Sequence, residues 1–121
     1  MRADEFLLAD ILHSIAEIRI LARGKIFDDL RADTVLQRAI FFEIIALGEA
    51  AGRLSRSLCA RHAEVPWRSV VGMRNRIVHE YFAINLTILW QTITQNLDPL
   101  EAQIREILKQ EFPSFNPSPP Q

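Results

Sequence analysis

The sequence predicts an all-α protein, an up-and-down helical bundle of four to five helices. Three observations lead there. Apolar residues recur at i, i+3, i+4 spacing through most of the chain, which lines one face of a helix. The interruptions fall on residues that start or stop helices, namely Gly24, Asp33, Pro66 and Asn85. No stretch sustains the apolar–polar alternation of a half-buried strand. The composition agrees, with 49% hydrophobic residues and only 4 Gly in 121, as expected of one globular domain. That domain should occupy residues 1–112. The tail, residues 113–121, carries Pro113, Pro117, Pro119 and Pro120 and is expected to be disordered or draped on the surface.

Each element has its own justification. From about Asp4 to Arg23 the residues Leu8, Ile11, Leu12, Ile15, Ile18 and Ala22 form one stripe, and Gly24 stands where such a helix ends. Lys25 to Ala32 reads as a short connector holding Phe27 and Leu30. Asp33-Thr34 offers an N-cap, and Thr34-x-x-Gln37 has capping-box spacing. A long helix should follow from about Thr34 to Leu58, with Gly48 and Gly52 as a small-residue notch where another helix approaches. Arg53 to Glu64 is polar. Pro66 suits the first turn of a third helix running to about Phe82, docked through Val70, Met73, Ile77 and Val78. Asn85 should cap the last helix, Leu86 to Glu111, which Pro99 should kink or divide.

Bulk properties exclude several function classes. A net charge of −1 provides no broad field for nucleic acid, so any such binding must rely on a local Arg-lined groove; Arg53, Arg56, Arg74 and Arg76 are the candidates. Of 14 Lys and Arg residues only Lys25 and Lys109 are lysine, a bias that suits phosphate pairing. The single Cys59 forms no internal disulfide and no multi-Cys metal site. The N-terminus lacks an apolar leader and no apolar run reaches membrane-spanning length. A reducing, cytoplasmic setting is expected, with no membrane partner, no metal and no cofactor.

Chemistry concentrates in Met73-Arg74-Asn75-Arg76-Ile77-Val78-His79-Glu80-Tyr81. Arg74 offers a fixed positive fork for phosphate, and His79 a proton shuttle near neutral pH. Tyr81 adds a hydroxyl that can bind or be modified. On a regular helix Arg74 and Tyr81, seven apart, differ by roughly 20° and share a face, whereas Arg74 and His79 differ by about 140°. Asn75 and His79, four apart, stack on one face. One straight helix would not aim both Arg74 and His79 at one small target; the long Arg74 side chain can sweep part of that angle, and a helix end or a second copy of the site can supply the rest. Plainer readings apply elsewhere. Arg76 and Glu80 make an i, i+4 surface pair. His13 and His62 fall on the surface or in loops. Glu43 and Glu49 are acids at the edge of the core, structural or part of the site. Trp67 and Trp90 anchor packing. Phe41 and Phe42 are adjacent, so one leaves the stripe, and an exposed Phe marks a dimer surface.

Three blocks resemble the HepT-like ribonuclease toxins of the HEPN superfamily in content, order and spacing. They are Ala46-Leu47-Gly48-Glu49-Ala50-Ala51, then Val65-Pro66-Trp67, then Gly72-Met73-Arg74-Asn75-Arg76-Ile77-Val78-His79-Glu80-Tyr81. Leu89-Trp90 and Asn96-Leu97-Asp98-Pro99-Leu100 are similar as well, and Phe27 through Ala39 fits the family's acidic connector and second helix. The likeness covers nearly the whole chain except the Pro-rich tail. Asn85 stands where the family often has Asp, and the Leu97-Asp98-Pro99 order differs from its usual Leu-Pro pair.

The resemblance implies a helical bundle that pairs into a symmetric homodimer. It implies a metal-independent endoribonuclease whose Arg-x4-His motif, here Arg74 and His79, acts across the dimer cleft with Asn75 in support. RNA supplies its own nucleophile, the 2′-hydroxyl; His79 would move protons and Arg74 would stabilise charge developing on phosphorus. The expected substrate is mRNA or tRNA. It also implies a toxin–antitoxin role: an MntA-like nucleotidyltransferase antitoxin transfers AMP from ATP onto the motif tyrosine, here Tyr81. The alternative is a non-catalytic helical module serving as the substrate-binding or partner subunit of a minimal nucleotidyltransferase.

Overall fold

The computed structural model describes residues 2–116. In chain order these form α1 (Asp4–Ala22), α2 (Phe27–Ala32), α3 (Thr34–Arg53), α4 (Arg56–Arg61) and α5 (Trp67–His79). A 3-10 turn (Tyr81–Ala83), α6 (Leu86–Gln91), a π-helical segment (Thr92–Asn96) and α7 (Leu97–Glu111) complete them. The described residues contain no strand. Because Thr92 and Leu97 keep right-handed helical dihedrals, α6, the π segment and α7 form one continuous rod. That rod, α1, α3 and α5 are the long members of the all-α bundle that the periodicity predicts.

α1 packs on α3, α3 on α5, and α1 on α7. The stripes meet in a core that fully buries Leu8, Ile11, Ile15 and Ile18 of α1, Ile40 of α3, Ile77 of α5, and Ile104 and Ile107 of α7. Each such side chain contributes about 1.5–3 kcal/mol when removed from water. Arg19 of α1 fastens α7, donating to Glu101 at 2.7 Å and pairing with Asp98. α5 stands off from the rod across an apolar trough of about 510 Å³ walled by Leu47, Met73, Ile88 and Leu97. No helix among the described residues is long and apolar enough to cross a membrane.

Several local expectations change. α1 ends at Ala22, and Gly24 takes φ +72°, a left-handed turn that glycine adopts without strain. The connector of residues 25–32 contains a helix, α2, capped where the Asp29 carboxylate accepts the Ile26 N–H at 2.8 Å. Asp33 caps α3 by accepting the Leu36 N–H at 3.1 Å. Thr34 and Gln37 form no capping box. Thr34 is the first helical residue, and the Gln37 amide instead donates to the Leu30 and Arg31 carbonyls at 2.8 and 3.2 Å, closing the end of α2. α3 stops at Arg53 rather than Leu58. Asp4 of α1 accepts the Ser55 N–H at 2.9 Å and the Ser55 hydroxyl at 2.6 Å, and Ser55 caps α4 through the Leu58 N–H.

Asn85 caps α6 as expected, accepting the Ile88 N–H at 3.1 Å. Pro99 does not divide the last helix; its α register changes instead at the π segment just before Pro99. Proline cannot donate to the Gln95 carbonyl and its ring crowds it, so a wider register upstream relieves the clash. His62 is buried rather than superficial: its Nε2 meets the Glu111 carboxylate, and its carbonyl accepts the Trp67 indole N–H at 3.0 Å. His13 is exposed. In the tail Phe115 packs edge-to-face on Phe6 at 5.2 Å; residues 117–121 lie outside the described residues.

Candidate functional site

The site begins at a glycine. A Cβ built on Gly48 would lie 2.3 Å from Arg74 Cβ and 3.0 Å from its Cγ. Only glycine lets α5 sit this close, so the Arg74 stem lies on the α3 backbone. Gly52 is less demanding, since its nearest neighbour would be Val71 Cγ2 at 3.8 Å. Gly48 therefore forms the notch expected of the pair, and Val71 joins the docking face beside Val70, Met73 and Ile77. Val78 is 44% exposed and does not join it.

From that fulcrum the Arg74 guanidinium reaches the next residue of α3. Arg74 Nη2 pairs with Glu49 Oε1 at 2.5 Å, and Arg74 Nη1 donates to Asn75 Oδ1 at 2.9 Å. Glu49 also holds Arg53 at 3.5 Å. Arg74 Nε is buried and has no hydrogen-bond partner among the described residues. An unmet N–H on a charged group carries a desolvation penalty. Glu49 thus joins the candidate site. Glu43 does not: it faces α1, where burial pushes its carboxyl up while the Ser14 hydroxyl opposes that shift.

His79 is the last residue of α5, and its imidazole is exposed. The helix closes behind it as the Glu80 N–H donates to the Arg76 carbonyl at 2.7 Å. The chain then leaves the helix axis, so Tyr81 is not on the Arg74 face as continuous helix would require. Tyr81 lies in the 3-10 turn, edge-to-face on Phe41 at 5.3 Å and on Phe82 at 5.1 Å. Gly48 meets Arg74 while Phe41 meets Tyr81, so α3 and α5 run antiparallel. Glu49 and Phe41 are eight residues apart, which separates the Arg74 anchor from the Tyr81 ring by about 12 Å along α3.

The expected Arg-lined groove is narrower than predicted. Arg53 joins Arg74 through Glu49, but Arg76 lines a cavity on another side of α5 with Met73, Glu80 and Ile88. Arg56 opens α4. Arg76 and Glu80 form no ion pair among the described residues; the arginine of this helix that pairs with a carboxylate is Arg74, with Glu49. Sequence reasoning missed Arg38, which lines a cavity with Tyr81, Phe41 and Phe82. The signal lay in Phe41, three residues on, which lines the same cavity; Phe42 is the exposed member of the aromatic pair, at 65%.

Known proteins resemble this chain over most of its length. The family model "Ribonuclease HepT-like" matches residues 11–107. A provisionally named RNase of Caldanaerobacter subterraneus subsp. tengcongensis, TTE0752, is 37% identical over 82% of this chain and 91% of its own. "Probable ribonuclease HepT" of Thermococcus cleftensis is 28% identical over 89% of this chain and 98% of its own. A provisionally named RNase of Methanocaldococcus jannaschii, MJ0127, is 28% identical over 84% of each chain. No solved structure matches. With the family model spanning both the Gly48–Glu49 cradle and the Arg74–His79 helix, the chain belongs to the HepT-like ribonuclease family.

Proposed function

We propose that this chain is an endoribonuclease that cuts RNA without a metal ion, using Arg74 and His79 from two copies of the chain. The observation that carries the reading is the Arg74 guanidinium, held by Glu49 and Asn75, on the helix that ends at His79. The 2′-oxygen of RNA attacks phosphorus and a new 2′-O–P bond forms as the bond to the 5′-oxygen breaks. His79 takes the 2′-hydroxyl proton and, as the imidazolium, gives it to the leaving 5′-oxygen. Arg74 offsets the charge growing on the phosphoryl oxygens. Asn75 and Glu49 hold the fork in place. Among the described residues no cluster of three or more His, Cys, Asp or Glu is placed to bind a metal, and the reading gives both proton transfers to His79.

The second copy answers the angular problem. At about 100° per residue the five-residue step from Arg74 to His79 turns the helix by about 140°, so a phosphate on Arg74 meets the His79 of a partner more readily than its own. An exposed line on α3 supports such pairing. Val35, Phe42 and Glu49 fall seven residues apart, hence along one line, and Val35 and Phe42 are 73% and 65% exposed. The same reading makes the chain the toxin of a toxin–antitoxin pair, silenced when a nucleotidyltransferase transfers AMP to Tyr81. An adduct there blocks the approach of RNA and adds a charge that repels it.

One observation favours the alternative of a non-catalytic partner module: Glu49 already neutralises Arg74. Product chemistry separates the readings. Purified protein incubated with RNA in excess chelator is expected to leave 2′,3′-cyclic phosphate and 5′-hydroxyl ends, and to spare a substrate that lacks 2′-hydroxyls. Absence of cleavage by folded protein free of Tyr81 adducts would move the assignment to the partner module.

A further inference from the structure

Beside the 3-10 turn lies a cavity of about 310 Å³, lined among others by Thr34, Gln37, Arg38, Phe41, Tyr81 and Phe82. Its size is at the lower end of the ~300–1,000 Å³ typical of small-molecule sites. Three features single it out. Phe82 is 99% exposed, an apolar ring held in water and set edge-to-face against Tyr81. Arg38 is exposed and makes no ion pair among the described residues. The lining has this cation and no carboxylate, so the cavity favours an anion, and its aromatic walls favour a flat ring. Both demands are met by a nucleotide. The Gln37 amide N–H group is committed to the Leu30 and Arg31 carbonyls, which fixes the amide and leaves its oxygen as an acceptor for a base.

We infer that this cavity is a nucleobase subsite of the RNA-cleaving centre, with a base stacked on Phe82 and the adjoining phosphate on Arg38. The inference rests on the RNase reading and adds to it where the neighbouring base is held. Tyr81 is two residues beyond His79, so their Cα atoms are at most about 7.6 Å apart, close enough for the subsite to take a nucleotide flanking the scissile phosphate. Single-stranded RNA is recognised in this way, by bases splayed onto aromatic rings and Arg planes. A base seated here also covers Tyr81, so a group attached to that hydroxyl competes directly with substrate.

The test uses a fluorescein-labelled 2′-O-methyl oligoribonucleotide, which cannot be cut, and a matched oligonucleotide with abasic positions. Phe82→Ala is expected to raise the Kd for the first by between about 5-fold and 100-fold and to leave the second unchanged; Phe82→Trp restores wild-type affinity. Arg38→Gln is expected to reduce the slope of log K against log salt by ~1. With Phe82 this exposed, loss of fold is not the expected cause. Unchanged affinity in Phe82→Ala beside a wild type that cuts RNA overturns the subsite alone. A changed sedimentation mass in Phe82→Ala also overturns it, by giving the ring to a contact between copies. A wild type that neither binds nor cuts RNA brings down the RNase reading, and the subsite with it.

Discussion

Gly48→Ala should unfold the protein at lower temperature and disable it at the same time. The added Cβ would sit 2.3 Å from Arg74 Cβ and 3.4 Å from the Val70 carbonyl oxygen. Arg74 Cβ is bonded to the α5 backbone and cannot swing aside. Restoring ordinary contact at ~3.5 Å means moving α5 from α3 by more than about 1 Å. Overpacking of this kind costs about 1–3 kcal/mol, and the better helix propensity of alanine returns up to about 1 kcal/mol. A 2.3 Å approach puts the cost in the upper part of that range, so the expected net loss is about 1–2 kcal/mol, or a fall in Tm of ~4–8 °C. Because the same displacement carries the Arg74 guanidinium away from Glu49, kcat should fall by up to about 100-fold. Gly52→Ala is the matched control. Its Cβ meets only Val71 at 3.8 Å, so the propensity gain should raise stability by ~0.5–1 kcal/mol with cleavage intact. Thermal unfolding and single-turnover cleavage of both variants decide the matter. Equal stabilisation by the two substitutions, with full activity, would refute a close α3–α5 approach at Gly48.

Three further predictions follow from other parts of the molecule. Glu49→Ala releases one side of the Arg74 fork and should lower kcat about tenfold or more with a smaller change in KM; an unchanged kcat would remove Glu49 from the site. Tyr81→Phe should cut RNA at near the wild-type rate yet accept no AMP from a nucleotidyltransferase and ATP, and robust labelling of the variant at the motif would sink that assignment. The Arg61 guanidinium, then the His62 imidazole, hold the Glu111 carboxyl down at about 2. A depressed carboxylate stabilises the fold fully above its ordinary value near 4.5 and loses that contribution as pH falls towards 2. Glu111→Gln should therefore flatten the acid limb of a stability–pH curve between those limits, and an unaltered limb would contradict the pairing.

Much of this was legible in the sequence because the governing interactions are local. The α1 stripe, the Asp33 and Asn85 caps and the Arg74–His79 spacing all depend on residues within a turn or two. What escaped depends on distant partners. Nothing near Arg53 breaks α3; the stop comes from Asp4, whose carboxylate takes the Ser55 N–H from 51 positions away. His62 looked superficial because the Glu111 that engages it lies 49 positions on. Tyr81 carried a helical pattern, but α5 ends at His79 and the Tyr81 ring settles on Phe41. Glu49 was visible only as an acid in an apolar helix. Its contact with Arg74 emerges once Gly48 brings the two helices together, so the small-residue notch was the pointer to the candidate site.

The measurement that tests the central claim most directly mixes two inactive variants, Arg74→Ala and His79→Ala, under conditions that let subunits exchange. In a symmetric pair that joins Arg74 of one copy to His79 of the other, a mixed dimer keeps one intact site and loses the second. Random exchange should then recover about a quarter of wild-type cleavage, although each variant alone cuts nothing. A mixture that stays as inactive as its parents, with exchange verified, would contradict a site shared between copies. Wild-type cleavage by either variant alone would contradict the assignment of Arg74 and His79 altogether.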